Sequence, residues 1–232
     1  MDIDTRLFVL DELYRIFDAF INTWDVACAE LCDACCTANV TLTTLEGLKV
    51  VRRLTDTGYP HWASELDRLA SPDRFQPRVT TNRLAALCAA NAPLPTEPDA
   101  SKLGRCPFLA AGRCPVYAVR PFACRCMVSR RTCGHHGSAD MDPFIETVSN
   151  VFMQTIENVD VPGCSGNLVD VFLVLAVEKN RERYAAGVLE CCTHGLVANH
   201  PMTVLMVPPE HRSRVQPLLD AIRGIRIPAA SR

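Results

Sequence analysis

Apolar side chains recur every three or four positions near the start of the chain, at Leu7, Leu10, Tyr14, Phe17, Ile21 and Trp24. This spacing predicts an amphipathic helix with one buried face. At about 100° per residue, the same face continues through Cys28, Cys32 and Cys35. If the helix persists that far, these thiols point toward the core. The alternative is that the cysteines simply extend the apolar stripe.

Local start and stop signals predict three further helices before residue 91. Thr43 to Glu46 forms a capping-box pattern that opens a helix to about Thr55. A short helix follows over residues 61–70, after a break at Gly58 and Pro60. A threonine at position 80 or 81 then caps a helix that runs to about residue 90. The proline-rich stretch 91–104 is predicted to be a connecting loop.

The second half mixes irregular and helical segments. Three prolines and Gly112 exclude a regular helix over residues 104–137. Asp142 with Pro143 predicts a helix to about Val159, residues 162–166 predict a break, and Asn167 opens a long helix to about residue 186. A strand over residues 203–207 and a helix near 209–223 complete the chain.

These elements predict a mainly α fold with irregular cysteine-rich metal-binding loops and a possible small α/β C-terminal tail. The predicted domains are a helical cysteine-cluster metal-binding domain, residues 1–186, and a small appendage packed on it, residues 187–232.

Composition and charge narrow the class of protein. The chain has 232 residues, 48% hydrophobic and 22% charged, which excludes a disordered or collagen-like protein. The longest apolar run, residues 168–177, is about half the length that spans a bilayer, so no transmembrane segment is predicted. The N-terminus lacks the basic region of a secretory signal. A cytoplasmic location is expected.

Cysteine is the unusual residue, with thirteen in the chain. Nine of them fall in two windows, residues 28–36 and residues 106–133. In a cytosolic chain a reducing compartment keeps thiols free, so clustering points to metal coordination or redox chemistry. Cys88 and Cys164, outside the windows, are expected to be structural, and Cys191 with Cys192 to belong to an ordinary helix end.

The second window is strongly basic. Residues 101–133 contain Lys102 and six arginines but no Asp or Glu: Arg105, Arg113, Arg120, Arg125, Arg130 and Arg131. Arginines near a thiolate centre stabilise its negative charge and lower thiol pKa values. We expect Arg120 and Arg125 to bond ligand sulfurs or nearby carbonyls. Nucleic-acid binding is the disfavoured alternative, because few aromatic side chains accompany the basic residues.

The spacing of the cysteines suits a metal but matches no named site. Cys32 and Cys35 are separated by two residues, so both sulfurs can reach one ion. Cys106, Cys114, Cys124 and Cys126 are separated by seven, nine and one residues, which matches neither a ferredoxin signature nor a regular zinc finger. Tetrahedral zinc needs four ligands, so the two windows are expected to contribute together.

The motifs nevertheless resemble the YkgJ-type cysteine-cluster family, whose members are described as zinc- or iron-chelating proteins. The resemblance spans residues 28–126 and rests on Cys28-x3-Cys32-x2-Cys35-Cys36, Cys106-Pro107-Phe108-Leu109, Arg113-Cys114-Pro115-Val116-Tyr117 and Arg120-Pro121-Phe122-Ala123-Cys124-Arg125.

This resemblance implies a set of metal ligands: Cys32, Cys35, Cys36, Cys106, Cys114 and Cys124. Two further candidates depart from the family pattern. Three residues separate Cys28 from Cys32 where the family usually has two, and Cys126 lies beyond the usual Cys-Arg pair.

Two functions remain open on these residues. The first is a cytoplasmic protein that holds zinc or iron with clustered thiolates, and the second is an iron–sulfur protein with a redox or enzymatic role. Thiolate ligands suit both. A metal-free thiol relay is disfavoured because no thioredoxin-like pattern is present. No catalytic acid–base pair stands beside the cysteines, which favours a non-enzymatic protein. Cys133 with His135 and His136 is a weaker candidate ligand group.

Overall fold

A computed structural model describes residues 1–56, 62–63, 66, 74–99, 104–133, 138–192 and 195–227. The described chain is mainly helical with a small three-stranded antiparallel sheet. The α-helices are α1 Ile3–Ile21, α2 Thr44–Asp56, α3 Thr81–Ala89, α4 Phe122–Arg125, α5 Pro143–Val159, α6 Leu168–Ala176, α7 Glu178–Ala185 and α8 Arg212–Arg223. Short 3₁₀ turns cover Tyr117–Val119 and Pro209–His211, and the strands are β1 Thr41–Thr43, β2 Cys164–Asn167 and β3 Val197–Ala198.

The core lies where α1 crosses α5 and α2 packs on α6. Phe17 of α1 is fully buried, and its ring lies 5.3 Å from that of Phe152 in α5 and 4.7 Å from that of Phe122. At the second crossing, a Cβ added to Gly47 would come within 2.6 Å of Val171. The absence of a side chain at Gly47 therefore allows α2 and α6 to approach closely.

Helix α1 has the predicted buried stripe but is shorter than the stripe suggests. The side chain of Asp2 caps its first turn by accepting from the Thr5 amide. At the other end the Thr23 hydroxyl donates to the Phe20 carbonyl, and the chain then leaves the helix so that the Ala27 amide can donate to the Ser129 carbonyl. The helix therefore ends at Ile21, before Cys28, so Cys28, Cys32 and Cys35 do not lie on its buried face.

The locally signalled helix starts are confirmed. Glu46 accepts hydrogen bonds from the Thr43 amide and hydroxyl, and the Thr43 oxygen accepts from the Glu46 amide, which is the reciprocal capping box of α2. The side chain of Thr80 caps α3, and Asp142 caps α5. The helix predicted over residues 61–70 and its flanking break lie largely outside the described residues.

The long helix predicted from Asn167 to residue 186 is two helices. Asn167 does cap α6, but the chain turns at Val177, where ψ is 117°. Side chains of α7 fold back onto the end of α6, with the Asn180 amide donating to the Val174 carbonyl and the Arg181 guanidinium to the Leu175 carbonyl. These side chains satisfy carbonyl groups that would accept from backbone amides in a continuous helix. Hydrophobic periodicity gives no information on such hydrogen bonds.

The sheet was not predicted in its observed place. Residues 164–166, predicted to be a break, belong to β2, which pairs with β1 and with β3. The strand predicted over residues 203–207 is absent. Side chains replace the ladder there, because Gln154 bonds both the Val204 carbonyl and the Met206 amide while Asn158 accepts from the Met202 amide.

A buried carboxylate joins the ends of several elements. Asp160, directly after α5, is fully buried and accepts from the Arg6 guanidinium at 2.9 Å, the Tyr184 hydroxyl at 2.5 Å and the Thr44 hydroxyl at 2.7 Å. The Leu45 amide and the Asn199 side chain also donate to it. Burial raises the pKa of Asp160 to about 6, an increase that these donors limit.

Cys164 and Cys191 form a disulfide, which corrects the expectation that all thiols are free. The Cα atoms are 5.7 Å apart, and both residues are buried beside the Asp160 cluster. Pairing of β2 with β3 and the Leu196 amide bond to the Cys191 carbonyl bring the two segments together. No sequence spacing indicates this pairing, because it depends on tertiary contact between elements 27 residues apart.

Two elements of the last part of the chain pack on the preceding part. β3 pairs with β2, and α8 packs on α1. The domain boundary between residues 186 and 187 stays a prediction. Within the described residues, no helix combines the length and apolar character that crossing a membrane requires.

Replacing Asp160 with asparagine should lower the free energy of unfolding by about 3–5 kcal/mol, because the buried Arg6 loses its counter-ion. Urea unfolding followed by circular dichroism measures the change. Asp4→Asn is the matched control, since its partner Arg52 is largely exposed, and it should have little effect. Equal effects of the two substitutions would contradict the assigned role of Asp160.

Candidate metal centre

The first cysteine window is an irregular segment held at both of its ends by the second. At the near end, the Ala27 amide donates to the Ser129 carbonyl at 2.8 Å. At the far end, the Ala38 amide donates to the Gly104 carbonyl at 2.8 Å, and the Cys106 amide to the Cys36 carbonyl at 3.0 Å. Backbone hydrogen bonds therefore bring the two windows side by side.

A charge pair reinforces the far end of this contact. The Arg105 guanidinium lies 2.5 Å from the Asp33 carboxylate, 72 residues earlier in the chain. Both side chains retain exposure to solvent, so the pair contributes orientation more than stability.

Apolar side chains next to the cysteines fix the second window to the core. Phe108, Val116 and Phe122 are all buried, and each lies two residues from Cys106, Cys114 or Cys124. The prolines of these motifs keep the intervening chain in turns, including an isolated bridge between Ala110 and Arg113. In each motif of the second window the apolar residue packs into the core while the cysteine two positions away faces a cavity between the two windows. This explains why a cysteine recurs beside Pro-Phe or Pro-Val.

Glu46 ties the second window to α1 and α2. Besides its capping bonds, the buried carboxylate accepts from the Phe122 amide at 2.7 Å and from the Tyr14 hydroxyl at 2.9 Å. Cys124 follows in the same short helix, α4. The local sequence indicates Glu46 only as a member of the capping box, and no local signal indicates that it also positions Cys124.

Seven cysteines from both windows line one cavity of about 1110 Å³. They are Cys28, Cys32, Cys35, Cys36, Cys106, Cys114 and Cys124. Arg113, Arg120, Arg125 and Tyr117 also line it. The structure thus brings together seven of the eight cysteines that sequence analysis selected.

The eighth selected cysteine lies elsewhere. Cys126 is 6% exposed, belongs to the hydrophobic core, and its sulfur lies 3.6 Å from the Ala123 carbonyl oxygen. Cys133 is half-buried, whereas Cys88 and Cys192 are exposed. The histidines at positions 135, 136 and 194 lie outside the described residues.

Burial raises the pKa of six cavity thiols and so favours their protonated form: Cys28, Cys35, Cys36, Cys106, Cys114 and Cys124. It raises the pKa of Cys35 and of Cys106 to about 11, with smaller contributions from neighbouring cysteines. Cys124 has its pKa raised well above the usual range, first by burial and then by Cys106, Cys114 and other thiols. A cation that draws sulfur ligands must therefore displace protons from them.

Two arginines at the cavity wall donate hydrogen bonds to backbone carbonyl groups. The Arg120 guanidinium donates to the Tyr117 carbonyl at 3.1 Å and lies 4.0 Å from the centre of the Tyr117 ring. Arg125 pairs with Asp18 at 2.6 Å and donates to the Ala118 carbonyl at 3.3 Å. Burial raises the pKa of Cys114, and the charge of Arg120 partly offsets that increase.

The sulfur atoms line the cavity, but they are not arranged as the ligands of one bound ion. Across the part of the chain that the structure describes, no three Cys, His, Asp or Glu side chains are grouped as a metal site requires. A four-coordinate ion with sulfur at about 2.3 Å would need side-chain rotation and closure of the loops.

Comparisons with known proteins add no assignment. No protein-family profile, curated protein or solved structure matches the chain. The resemblance to the YkgJ-type family therefore stays a prediction that rests on the motifs alone.

Replacing Glu46 with glutamine should lower the free energy of unfolding by about 2 kcal/mol. Glutamine can still cap Thr43, but its amide group removes an acceptor from the Phe122 amide or the Tyr14 hydroxyl. Urea unfolding measures the loss. Glu12→Gln, which affects an exposed pair with Arg15, should leave the unfolding curve unchanged. Wild-type stability of Glu46→Gln would contradict the anchoring role.

Thiol alkylation should reveal the raised pKa of Cys106. At pH 8 the metal-free folded chain should react at Cys106 about 100-fold more slowly than the urea-unfolded chain, because only the thiolate reacts. The rate in the folded chain should keep rising to about pH 11, whereas that of the unfolded chain levels off above the ordinary value of 9.0. Mass spectrometry of iodoacetamide-labelled peptides measures both, and equal rates at pH 8 would contradict the prediction.

Proposed function

We propose that this chain is a metal-binding protein that holds zinc or iron with cysteine thiolates in the cavity between the two windows. The observation that carries the proposal is that seven cysteines from two distant segments line one cavity. Cysteines that serve only as small apolar residues are expected to pack into the core, and not to line a shared cavity of about 1110 Å³.

The construction around the cavity supports the same conclusion. Backbone bonds from residue 27 to 129 and from residues 36–38 to 104–106 hold the windows together, and Glu46 fixes the Cys124 segment. Rigid support of ligand-bearing loops is what metal sites need for defined geometry. The motif resemblance to zinc- or iron-chelating proteins points the same way.

The ligands proposed from sequence all belong to this arrangement except for Cys126. Cys32, Cys35, Cys36, Cys106, Cys114 and Cys124 would hold the metal, with Cys28 available beside them. Arg120 and Arg125 would balance the negative charge of the thiolates from the cavity wall. A bound ion would supply the cross-link that the irregular loops lack.

An iron–sulfur cluster is the second candidate, because seven cavity cysteines exceed the four ligands of one tetrahedral ion. Soft sulfur ligands accept both kinds of centre. The two candidates differ in colour and in content of inorganic sulfide.

Metal analysis of protein purified without oxygen tests the proposal. We expect at least one equivalent of zinc or iron per chain, and the double variant Cys106→Ser with Cys114→Ser should contain at least one equivalent less than wild type. Cys88→Ser is the matched control, since Cys88 is exposed and lies outside the cavity lining, and it should keep the full metal content.

The outcomes separate the candidates. Colourless protein with stoichiometric zinc supports the ion site and excludes the cluster, whereas brown protein with iron and acid-labile sulfide supports the cluster. Protein that contains no metal and takes up neither Zn²⁺ nor Fe²⁺ would overturn the proposal.

A further inference from the structure

The cysteines of the first window fall into two groups according to the part of the second window they meet. Cys36 lies at the far end, where its carbonyl accepts from the Cys106 amide. Cys28 lies at the near end, where its sulfur is 3.9 Å from the Met127 carbonyl oxygen and the preceding residue bonds Ser129. One short segment therefore meets two separate stretches of the second window.

The far group by itself provides a complete set of four ligands. Cys36, Cys106, Cys114 and Cys124 all line the cavity, and every pair of them is close enough to interact electrostatically. Four sulfurs saturate a tetrahedral ion. Cys28, Cys32 and Cys35 are then left over for another purpose.

The near group contains these three cysteines and a fourth one that sequence analysis left aside. Cys28 interacts electrostatically with both Cys32 and Cys133. Cys35 interacts with Cys36 of the far group and also with Cys28 and Cys32, so it borders both groups. Cys133 is brought back by a turn in which the Ser129 hydroxyl donates to the Arg131 carbonyl and accepts from the Asp140 amide.

We propose a second metal centre with Cys28, Cys32, Cys35 and Cys133 as its ligands, which takes a thiophilic divalent cation such as Zn²⁺. This inference rests on the proposed function, because it divides the same set of cysteines into two sites. It assigns Cys133 as a ligand and gives Cys28 a role that its unusual spacing from Cys32 does not suggest. Side-chain rotation is needed here as at the far group, since no described trio is already grouped for metal.

The two centres differ in access to solvent. Of the eight cysteines only Cys32, in the near group, is exposed, and the other seven are half-buried. Three cysteines of the far group, Cys106, Cys114 and Cys124, each lie two residues from an apolar side chain that is buried in the core. A chelator can reach the near centre without opening the core. The near centre is therefore the exchangeable one, and the far centre holds the loops in place.

Zinc titration of the reduced, metal-free full chain tests the division. Wild type should bind about two equivalents of Zn²⁺, while Cys133→Ser and Cys114→Ser should each bind about one. A chromophoric chelator should remove about one equivalent rapidly from wild type and from Cys114→Ser, but none rapidly from Cys133→Ser. Cys192→Ser, which removes an exposed cysteine outside the cavity lining, is the matched control and should behave as wild type.

Cobalt substitution keeps the result independent of folding defects. Each variant that retains one centre should show the thiolate-to-Co²⁺ charge-transfer absorption of one four-sulfur site, with a wild-type circular dichroism spectrum. If wild type binds one equivalent and Cys133→Ser binds the same, the second centre is overturned while the proposed function survives. If wild type binds none, the proposed function itself fails.

Discussion

The fold depends on one buried ionic cluster around Asp160. Its carboxylate accepts from the start of α1 through Arg6, from the start of α2 through Thr44, and from α7 through Tyr184. The Thr44 hydroxyl also accepts from the Cys164 amide at the start of β2. Loss of one of these partners would leave a buried polar group without its hydrogen bond, so the cluster favours this arrangement of the helices and the sheet.

The Asp160 cluster is also tightly packed, with no room for an additional side chain beside it. A Cβ added to Gly163 would lie 2.2 Å from the Thr44 hydroxyl and 2.4 Å from the Asp160 carboxylate. The adjoining Cys164–Cys191 disulfide closes the same corner. Because the cluster sets the position of the α2 N-terminus, it also sets Glu46, and Glu46 in turn holds the segment that bears Cys124. The candidate metal centre therefore inherits its geometry from a cluster in another part of the molecule.

The sequence predicts well those structural features that depend only on residues close together in the chain. The Thr43–Glu46 box, the Asp142 cap and the Asn167 cap each act within three residues, and each begins a helix where the pattern indicates. The apolar face of α1 is correct for the same reason, but its continuation is not. Beyond α1 the chain is held by a hydrogen bond from Ala27 to Ser129, more than a hundred residues away, and a local periodicity contains no information on such a contact.

The same distinction between local signals and long-range contacts applies to the candidate site. The cysteine motifs indicate eight candidate ligands, and seven of them line one cavity. The motif pattern sets Cys126 apart, but spacing does not report depth, so it could not show that Cys126 is buried in the core while Cys124, two residues before it, lines the cavity. Nor could it find the Cys164–Cys191 pair or the partnership of Arg125 with Asp18, since each depends on the packing of α1 and the sheet.

The bridge between Thr37 and Arg105 has a consequence for biosynthesis. Asp33 and Arg105, which pair beside it, are 72 residues apart. At ribosomal speeds of 5–20 residues per second, about 4–14 s separate the emergence of these two segments. During that interval the four cysteines of residues 28–36 have left the ribosome without their partners. The nascent chain thus passes through a period in which these thiols are open to oxidation, and synthesis of the second window ends that period.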